Sequence, residues 1–433
     1  MPVRAAFFTL GCKVNQYETE VLKNYFANDG FDIVDIEDQA DIFVINSCTV
    51  TSTGDKKTKQ LIRKIKRQNP NAIVALTGCF PQAFPSEAAS VIEAQVVTGA
   101  YNRKGLLAAV KEALATGKRV VDITSHKKGE QFEHMQAQRP SQKTRAFVKI
   151  EDGCDRYCSY CIIPTARGPI RSKTMEDLKE ELISIAQNGA KEVVLVGINL
   201  SSYGKDFTQG KRLVDAVELA CSIDGLQRIR LGSLEPELLS DKDLQAMASF
   251  SKFCPQFHLS LQSGCDMTLQ RMNRHYDTAE YKRIVDLIRS LFVNPSITTD
   301  IMVGFAGETQ EEFIKSLNFA KEIGFAKAHV FAYSIREGTK AAKMQNQLDK
   351  HTKDLRSKQM IKQTLQSTAA FLSSQIETTA EVLVETKLST DEYIGYSKNY
   401  TPVVIKSQTD ICGKIVEVKI TASTLEHCIG AIK

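Results

Sequence analysis

At 433 residues the chain is too long for one ordinary hydrophobic core, so two or three domains are expected. A composition of 42% apolar and 25% charged residues, with no low-complexity tract, excludes a disordered chain. The formal net charge of +5 is too small to diagnose nucleic-acid binding by itself.

The N-terminal apolar run falls short of a signal-peptide core, and no apolar stretch reaches membrane-spanning length. A cytoplasmic protein with no membrane partner is expected. In that reducing compartment, eleven cysteines point to metal or redox chemistry rather than a disulfide scaffold.

Residues 1–117 alternate between strand and helix patterns: "AAFFTLG", then "QYETEVLKNYFANDG", "DIFVINS", "DKKTKQLIRKIKRQ", "AIVALTG" and "NRKGLLAAVKEALATG". The pattern predicts an α/β domain with a mostly parallel sheet. Residues 118–143, polar and without period, are expected to be a linker.

Across residues 144–370 six short apolar runs recur, each followed by a helical stretch: "AFVKI", "EVVLVG", "RIRLG", "FHLSL", "ITTDIMVG" and "AHVFAY". Six βα units predict a barrel or partial barrel whose active face is built by the loops after the strands. A long polar helix closes this part. In residues 371–433, "AEVLVE", "YTPVVIK" and "KIVEVKIT" predict a small all-β barrel.

The strongest motif is "EDGCDRYCSYCIIP", which places Cys154, Cys158 and Cys161 in a C-x3-C-x2-C spacing directly after the first of the six strands. Three thiolates on one loop can hold three irons of a cubic cluster and leave the fourth open to a small molecule. A zinc knuckle normally completes four ligands, and the next Cys or His residues are as distant as His134 and Cys221.

In the first domain, "FFTLGC", "FVINSC" and "VALTGC" each end an apolar strand with a small or polar residue before a cysteine. The carboxyl ends of parallel strands share one edge, so Cys12, Cys48 and Cys79 should converge into a second three-thiolate set. Buried free cysteine is a common small core residue, and Cys221, Cys254, Cys265, Cys412 and Cys428 are read that way.

The triad at Cys154, Cys158 and Cys161 resembles the radical S-adenosylmethionine (SAM) superfamily. That resemblance implies SAM at the open iron and a 5′-deoxyadenosyl radical. It places Tyr160 beside the adenine, Gly197 and Asn199 of "LVGIN" at the SAM amino group, and Ser233 and Glu235 of "LGSLEP" at the ribose. A packing role for Tyr160 and capping or surface roles for Ser233 and Glu235 stay open.

Both triads together, with "HLSLQSG" and "LQRMNRHY", make the whole chain resemble a radical-SAM methylthiotransferase. The resemblance implies an N-terminal auxiliary-cluster domain, a partial (βα)6 radical-SAM barrel and a C-terminal TRAM barrel. It also implies two four-iron (4Fe-4S) clusters, SAM, a reductant and a monomer.

"TLGCKVNQYETE" is closest to the branch that acts on tRNA carrying N6-threonylcarbamoyladenosine and adds a methylthio group at C2 of that base. Related branches act on isopentenyladenosine tRNA or on a ribosomal protein. A metal-stabilised RNA-binding protein is the non-enzymatic alternative. Ala306 and Ala332 stand where family members usually carry proline.

For RNA, residues 371–433 hold six lysines and no arginine against eight acidic residues, so long-range attraction by the TRAM segment is weak. A local basic face and stacking by Tyr393, Tyr396 and Tyr400 are the routes left there. The segment 56–67, with seven basic residues and no acid, offers a phosphate-binding face or a plain solvated one. Lys350, Lys353, Arg356, Lys358 and Lys362 on the linker helix invite the same two readings.

Overall fold

Alternation in the first third produces a six-stranded parallel sheet in the computed structural model, which describes residues 2–136 and 144–433. In chain order the elements are β1 (Arg4–Thr9), α1 (Lys13–Asn28), β2 (Asp32–Val34), β3 (Ile42–Ser47), α2 (Ser52–Gln68), β4 (Ile73–Gly78), α3 (Cys79–Ala83), α4 (Pro85–Ala89), β5 (Val96–Thr98), α5 (Arg103–Thr116) and β6 (Val120–Asp122). The strand order is β2-β1-β3-β4-β5-β6.

Strand β3 is buried at every position, which explains its continuous apolar run. The order reverses between β1 and β3, so the loops after these two strands diverge and leave a crevice at their carboxyl ends. Cys12 and Cys48 follow those two strands.

Strands β2, β5 and β6 were not expected. Each is three residues long, too short to show a period. β6 pairs with β5 through Val96↔Val120, so the sheet runs past residue 117 into the stretch expected as linker. Part of that stretch, residues 137–143, lies outside the described residues.

The central unit contains β7 (Arg145–Lys149), β8 (Glu151–Asp152), α6 (Ile163–Arg167), β9 (Arg171–Ser172), α7 (Met175–Gln187), β10 (Glu192–Val196), α8 (Leu213–Ser222), β11 (Arg228–Leu231), β12 (Ser233–Leu234), α9 (Asp241–Ser249), β13 (Gln256–Leu259), α10 (Asp266–Arg271), α11 (Thr278–Leu291), β14 (Ser296–Val303), α12 (Gln310–Ile323) and β15 (Lys327–Ala332). The six expected strands are β7, β10, β11, β13, β14 and β15. They form a parallel wall in two pieces, β11-β10-β7 and β12-β13-β14-β15.

The pieces join where the Ile229 N–H donates to Lys252 O at 2.9 Å and the Cys254 N–H to Ile229 O at 2.8 Å. Val193, Leu195, Ile229, Leu231, Ile297 and Ile301 face the helices in the main core. The alternate residues face the lumen. Helix α1 crosses that face, with Val14 packed on Val194 and Val196 and with Tyr17 beside Phe147, so the first domain covers one side of the lumen.

Helix α13 (Lys350–Ser373) leads to a closed barrel of β16 (Thr379–Lys387), β17 (Glu392–Ser397), β18 (Pro402–Lys406), β19 (Ile415–Ser423) and β20 (Cys428–Ile432). Arg356 of α13 is buried against Glu308, and Lys353 donates to Tyr333 O at 3.1 Å, so these two cations serve the fold rather than a phosphate face.

The C-terminal barrel docks on the amino ends of the SAM-barrel strands. Arg228 donates to Tyr396 O at 2.9 Å and to Glu381 O at 2.7 Å, and Arg230 to Lys398 O at 3.0 Å. Tyr396 and Tyr400 stack on each other at 4.6 Å, and Arg145 and Arg230 lie over the Tyr400 ring at 4.8 and 4.7 Å.

The RNA-stacking reading of the three tyrosines is therefore corrected. Tyr393 is in the small barrel's core, and the other two rings are covered by the docking arginines. Tyr400→Ala is expected to weaken docking by about 1–2 kcal/mol. Limited proteolysis should then release the C-terminal barrel faster; an unchanged cleavage rate would contradict this.

Candidate functional site

Local backbone geometry brings the first cysteine set together. Gly11 has φ +118°, and a Cβ there would lie 2.7 Å from Cys48 Cβ and 3.2 Å from its Sγ. Gly78, at φ +103°, would clash with Ser47 O at 2.4 Å. Only glycine permits both the left-handed turn and the close approach.

Asn15 ties the loops, donating to Leu10 O at 2.9 Å and Ser47 O at 3.1 Å. Cys12 is exposed, Cys48 half-buried and Cys79 buried. The Cys79 thiol, pushed up to about 12 by burial, is pulled back by Arg167 and feels Cys48 and Cys12. Cys12, Cys48 and Cys79 thus follow the adjacent strands β1, β3 and β4 at one edge of the sheet.

The second set sits on the loop after β8. Cys161 N–H donates to Cys158 O at 3.0 Å, and Ile163 N–H to Cys161 Sγ at 3.4 Å. The segment "RMNR" clamps this loop. Met272 O accepts from Ser159 N–H at 2.9 Å, Arg271 O from the Ser159 hydroxyl at 2.7 Å, and Asn273 donates to Tyr157 O at 3.1 Å.

Arg274 donates to Cys158 Sγ at 3.2 Å and pairs with Glu235. Burial raises Cys154 and brings Cys161 to about 12. All six cysteines are free of disulfides.

Neither set, nor any other group of three described His, Cys, Asp or Glu side chains, closes around a point as the ligands of one metal ion do. A cube of iron and sulfur spreads its thiolates to separate corners. Unpaired thiols backed by an arginine, Arg167 in one case and Arg274 in the other, suit an anionic cluster at each triad.

A buried ion network joins the two sets. Arg167, six residues after Cys161, donates to Cys79 Sγ at 3.1 Å, to Asn15 Oδ1 at 2.6 Å and to the Glu18 carboxylate at 2.5 Å. Glu18 also accepts from Arg103 at 2.5 Å and Lys149 at 2.8 Å, and Lys149 reaches Asp152 at 2.5 Å. The three cations overcome burial and hold Glu18 well below the usual carboxylate range. Helices α3 and α6, which begin at Cys79 and just after Cys161, pack directly on each other.

The expected SAM residues are distributed unevenly. Tyr160 lies edge-on to Phe305 at 6.3 Å, in the same pocket wall as Met272 and Tyr333. A Cβ at Gly197 would lie 2.6 Å from Glu151 Oε2 and 3.0 Å from its Cβ, so the glycine leaves room for the Glu151 side chain. Asn199 N–H donates to that same oxygen at 2.7 Å, while its amide donates to Ser202 at 2.8 Å.

Among the described residues Asn199 Oδ1 and Glu151 Oε1 are buried without hydrogen-bond partners, polar atoms that suit a polar ligand group such as the SAM amino group. Burial holds the Glu151 carboxyl well above its usual range. Ser233 is exposed, and Glu235 is engaged by Arg274.

Residue-by-residue reading missed Arg167, Arg274, Glu18 and Glu151. Arg274 lies inside "LQRMNRHY", Glu18 inside "TLGCKVNQYETE" and Glu151 at the head of "EDGCDRYCSYCIIP", where nothing local marks them off from their neighbours; Arg167 falls outside every motif. Among the remaining thiols, Cys254, Cys265 and Cys428 are buried and Cys221 packs partly against the core. Cys412 is exposed, against the packing role expected for it.

Comparison with known proteins agrees with this architecture. The Radical SAM superfamily matches residues 148–320, the uncharacterized protein family UPF0004 residues 4–99 and the TRAM domain residues 374–427. The structure of the radical S-adenosylmethionine methyltransferase TsrM from Kitasatospora setae, at 13% identity, superposes with a TM-score of 0.57 over 76% of this chain and 72% of that one. Fold and site therefore define a radical-SAM protein.

The threonylcarbamoyladenosine tRNA methylthiotransferase MtaB of Bacillus subtilis is 36% identical over 419 residues, 96% of this chain and 93% of that protein. The tRNA-2-methylthio-N(6)-dimethylallyladenosine synthase of Pelotomaculum thermopropionicum is 33% identical over 98% of this chain and 96% of its own length. The chain belongs to the MtaB-like methylthiotransferase family and is a radical-SAM enzyme.

Because the Glu18 pKa is depressed on folding, its stabilisation is complete above about pH 4.5 and is lost as pH falls through the folded value. Asp152, also depressed among Lys149, Arg167 and Arg171, acts in the same direction. Glu18→Gln should cost about 3–5 kcal/mol at neutral pH and flatten the acid limb of stability against pH. Denaturant midpoints measured across that range check both; an unchanged acid limb would contradict the assignment.

Proposed function

We propose that this chain adds a methylthio group to C2 of N6-threonylcarbamoyladenosine next to the anticodon of tRNA. The observation that carries the reading is the joining of two cysteine triads through Arg167 and the α3–α6 contact. Cys154, Cys158 and Cys161 would hold one 4Fe-4S cluster beside SAM, and Cys12, Cys48 and Cys79 a second, auxiliary one. When bound, these groups supply the electron, the radical and the methylthio sulfur.

The protein's own part is orientation and exclusion of water. Tyr160 would stand beside the adenine, and Gly197 and Asn199 at the SAM amino group. Ser233 and Glu235 would hold the ribose, with Arg274 orienting Glu235. Arg167 and Arg274 offset the negative charge of the clusters.

Lys56, Lys57, Lys64 and Arg67 of α2 are exposed and make no ion pair among the described residues, which supports α2 as a phosphate-contacting face. No helix of the described residues is long and apolar enough to cross a membrane. A cytoplasmic monomer served by a separate reductant completes the reading.

The experiment is anaerobic reconstitution followed by assay on threonylcarbamoylated tRNA. Wild type should bind about eight irons per chain and form the methylthio product. Cys12→Ala should retain about four irons and still form 5′-deoxyadenosine from SAM, while methylthiolation falls to background. Full methylthiolation by Cys12→Ala, or activity only on a ribosomal protein, would overturn the proposal.

A further inference from the structure

Beside Cys12 stands a cation that makes no ion pair among the described residues. Lys13 follows Cys12 and opens α1, where it is accessible rather than packed. Among the described residues it donates no hydrogen bond and makes no ion pair. Arg230, Arg145 and Glu192 are its charged neighbours on the strands.

Glu192 is already engaged by Arg230 at 3.0 Å, Arg145 at 3.3 Å and Arg228 at 3.7 Å. Counting Glu385, which pairs with Arg145, four cations share two carboxylates in this corner. A concave surface with excess charge of one sign attracts the opposite sign.

The far wall of the lumen is polar. Register places His258 beside Thr298 and Asp300 beside His329, all on the face opposite the core residues Ile297 and Ile301. His258 bonds Thr298 at 3.1 Å and Asp300 at 3.4 Å, and His329 lies within electrostatic reach of Lys13. Such a wall suits a polar substituent and penalises an apolar one.

We propose that Lys13 pairs with the carboxylate of the threonylcarbamoyl substituent and thereby selects this adenosine over bases whose N6 group carries no charge. The inference rests on the functional reading above. A threonylcarbamoyl group ends in a free carboxylate; a dimethylallyl group has none. A cation beside Cys12 holds the modified base against the auxiliary triad by its substituent, leaving the ring itself free to react. Lys13 acts as a specificity-determining residue that touches the substrate away from the reacting atom.

The test uses the reconstituted full-length enzyme and an anticodon stem-loop RNA whose threonylcarbamoyl group is either the free acid or its primary amide. Wild type should favour the acid by about 10- to 100-fold in kcat/KM, the contribution of one charged hydrogen bond. Lys13→Gln should lose that preference with unchanged iron content, and Lys13→Arg should keep it. An acid preference retained by Lys13→Gln, or absent from wild type, would overturn the role of Lys13. So would loss of iron from Lys13→Gln, which would assign the residue to cluster assembly. Wild type inactive on both RNAs would instead overturn the functional reading.

Discussion

Glu18 is the carboxylate around which the two catalytic halves are assembled. It projects from α1 of the first domain and is buried completely, a position that an isolated carboxylate could not occupy in charged form. Three cations make it possible: Arg103 from the same domain, and Lys149 and Arg167 from the SAM barrel. The same Arg167 reaches the Cys79 thiol. One buried ion cluster thus ties the two domains and the cysteine-bearing loops together, and removing its centre strips Arg103 of its carboxylate and leaves Lys149 and Arg167 to share Asp152.

That arrangement explains why the SAM barrel is left open. Its six strands form a wall whose lumen face is partly covered by α1, so the first domain supplies what a closed barrel would supply with further strands. The C-terminal barrel occupies the other end, held by the arginines at the strands' amino termini. At the carboxyl ends of the strands the two domains meet through helices α3 and α6 and through the Arg167 bond to Cys79.

The main strands were legible because each depends on local pattern, and with them the places where the cysteines end a strand. A parallel strand buried on both faces reads as an apolar run, and Cys12, Cys48 and Cys79 follow such runs directly. The three-residue strands β2, β5 and β6 were not legible, since their pairing depends on neighbours already in place. Glu18 and Arg167 were equally hidden: they are 149 positions apart in sequence, and nothing near either residue announces the pair. Tyr396 and Tyr400 misled for the opposite reason. Exposed aromatics on an RNA-binding barrel fit base stacking, until arginines from another domain cover them.

Between the two tRNA-modifying branches the substrates differ in one N6 substituent, charged in the threonylcarbamoyl base and apolar in the isopentenyl one. The account as a whole is tested most directly by mass spectrometry of tRNA nucleosides from a strain lacking this chain. It predicts that 2-methylthio-N6-threonylcarbamoyladenosine disappears while N6-threonylcarbamoyladenosine accumulates. An unchanged level of the methylthio nucleoside, or loss of the isopentenyl counterpart instead, would contradict it.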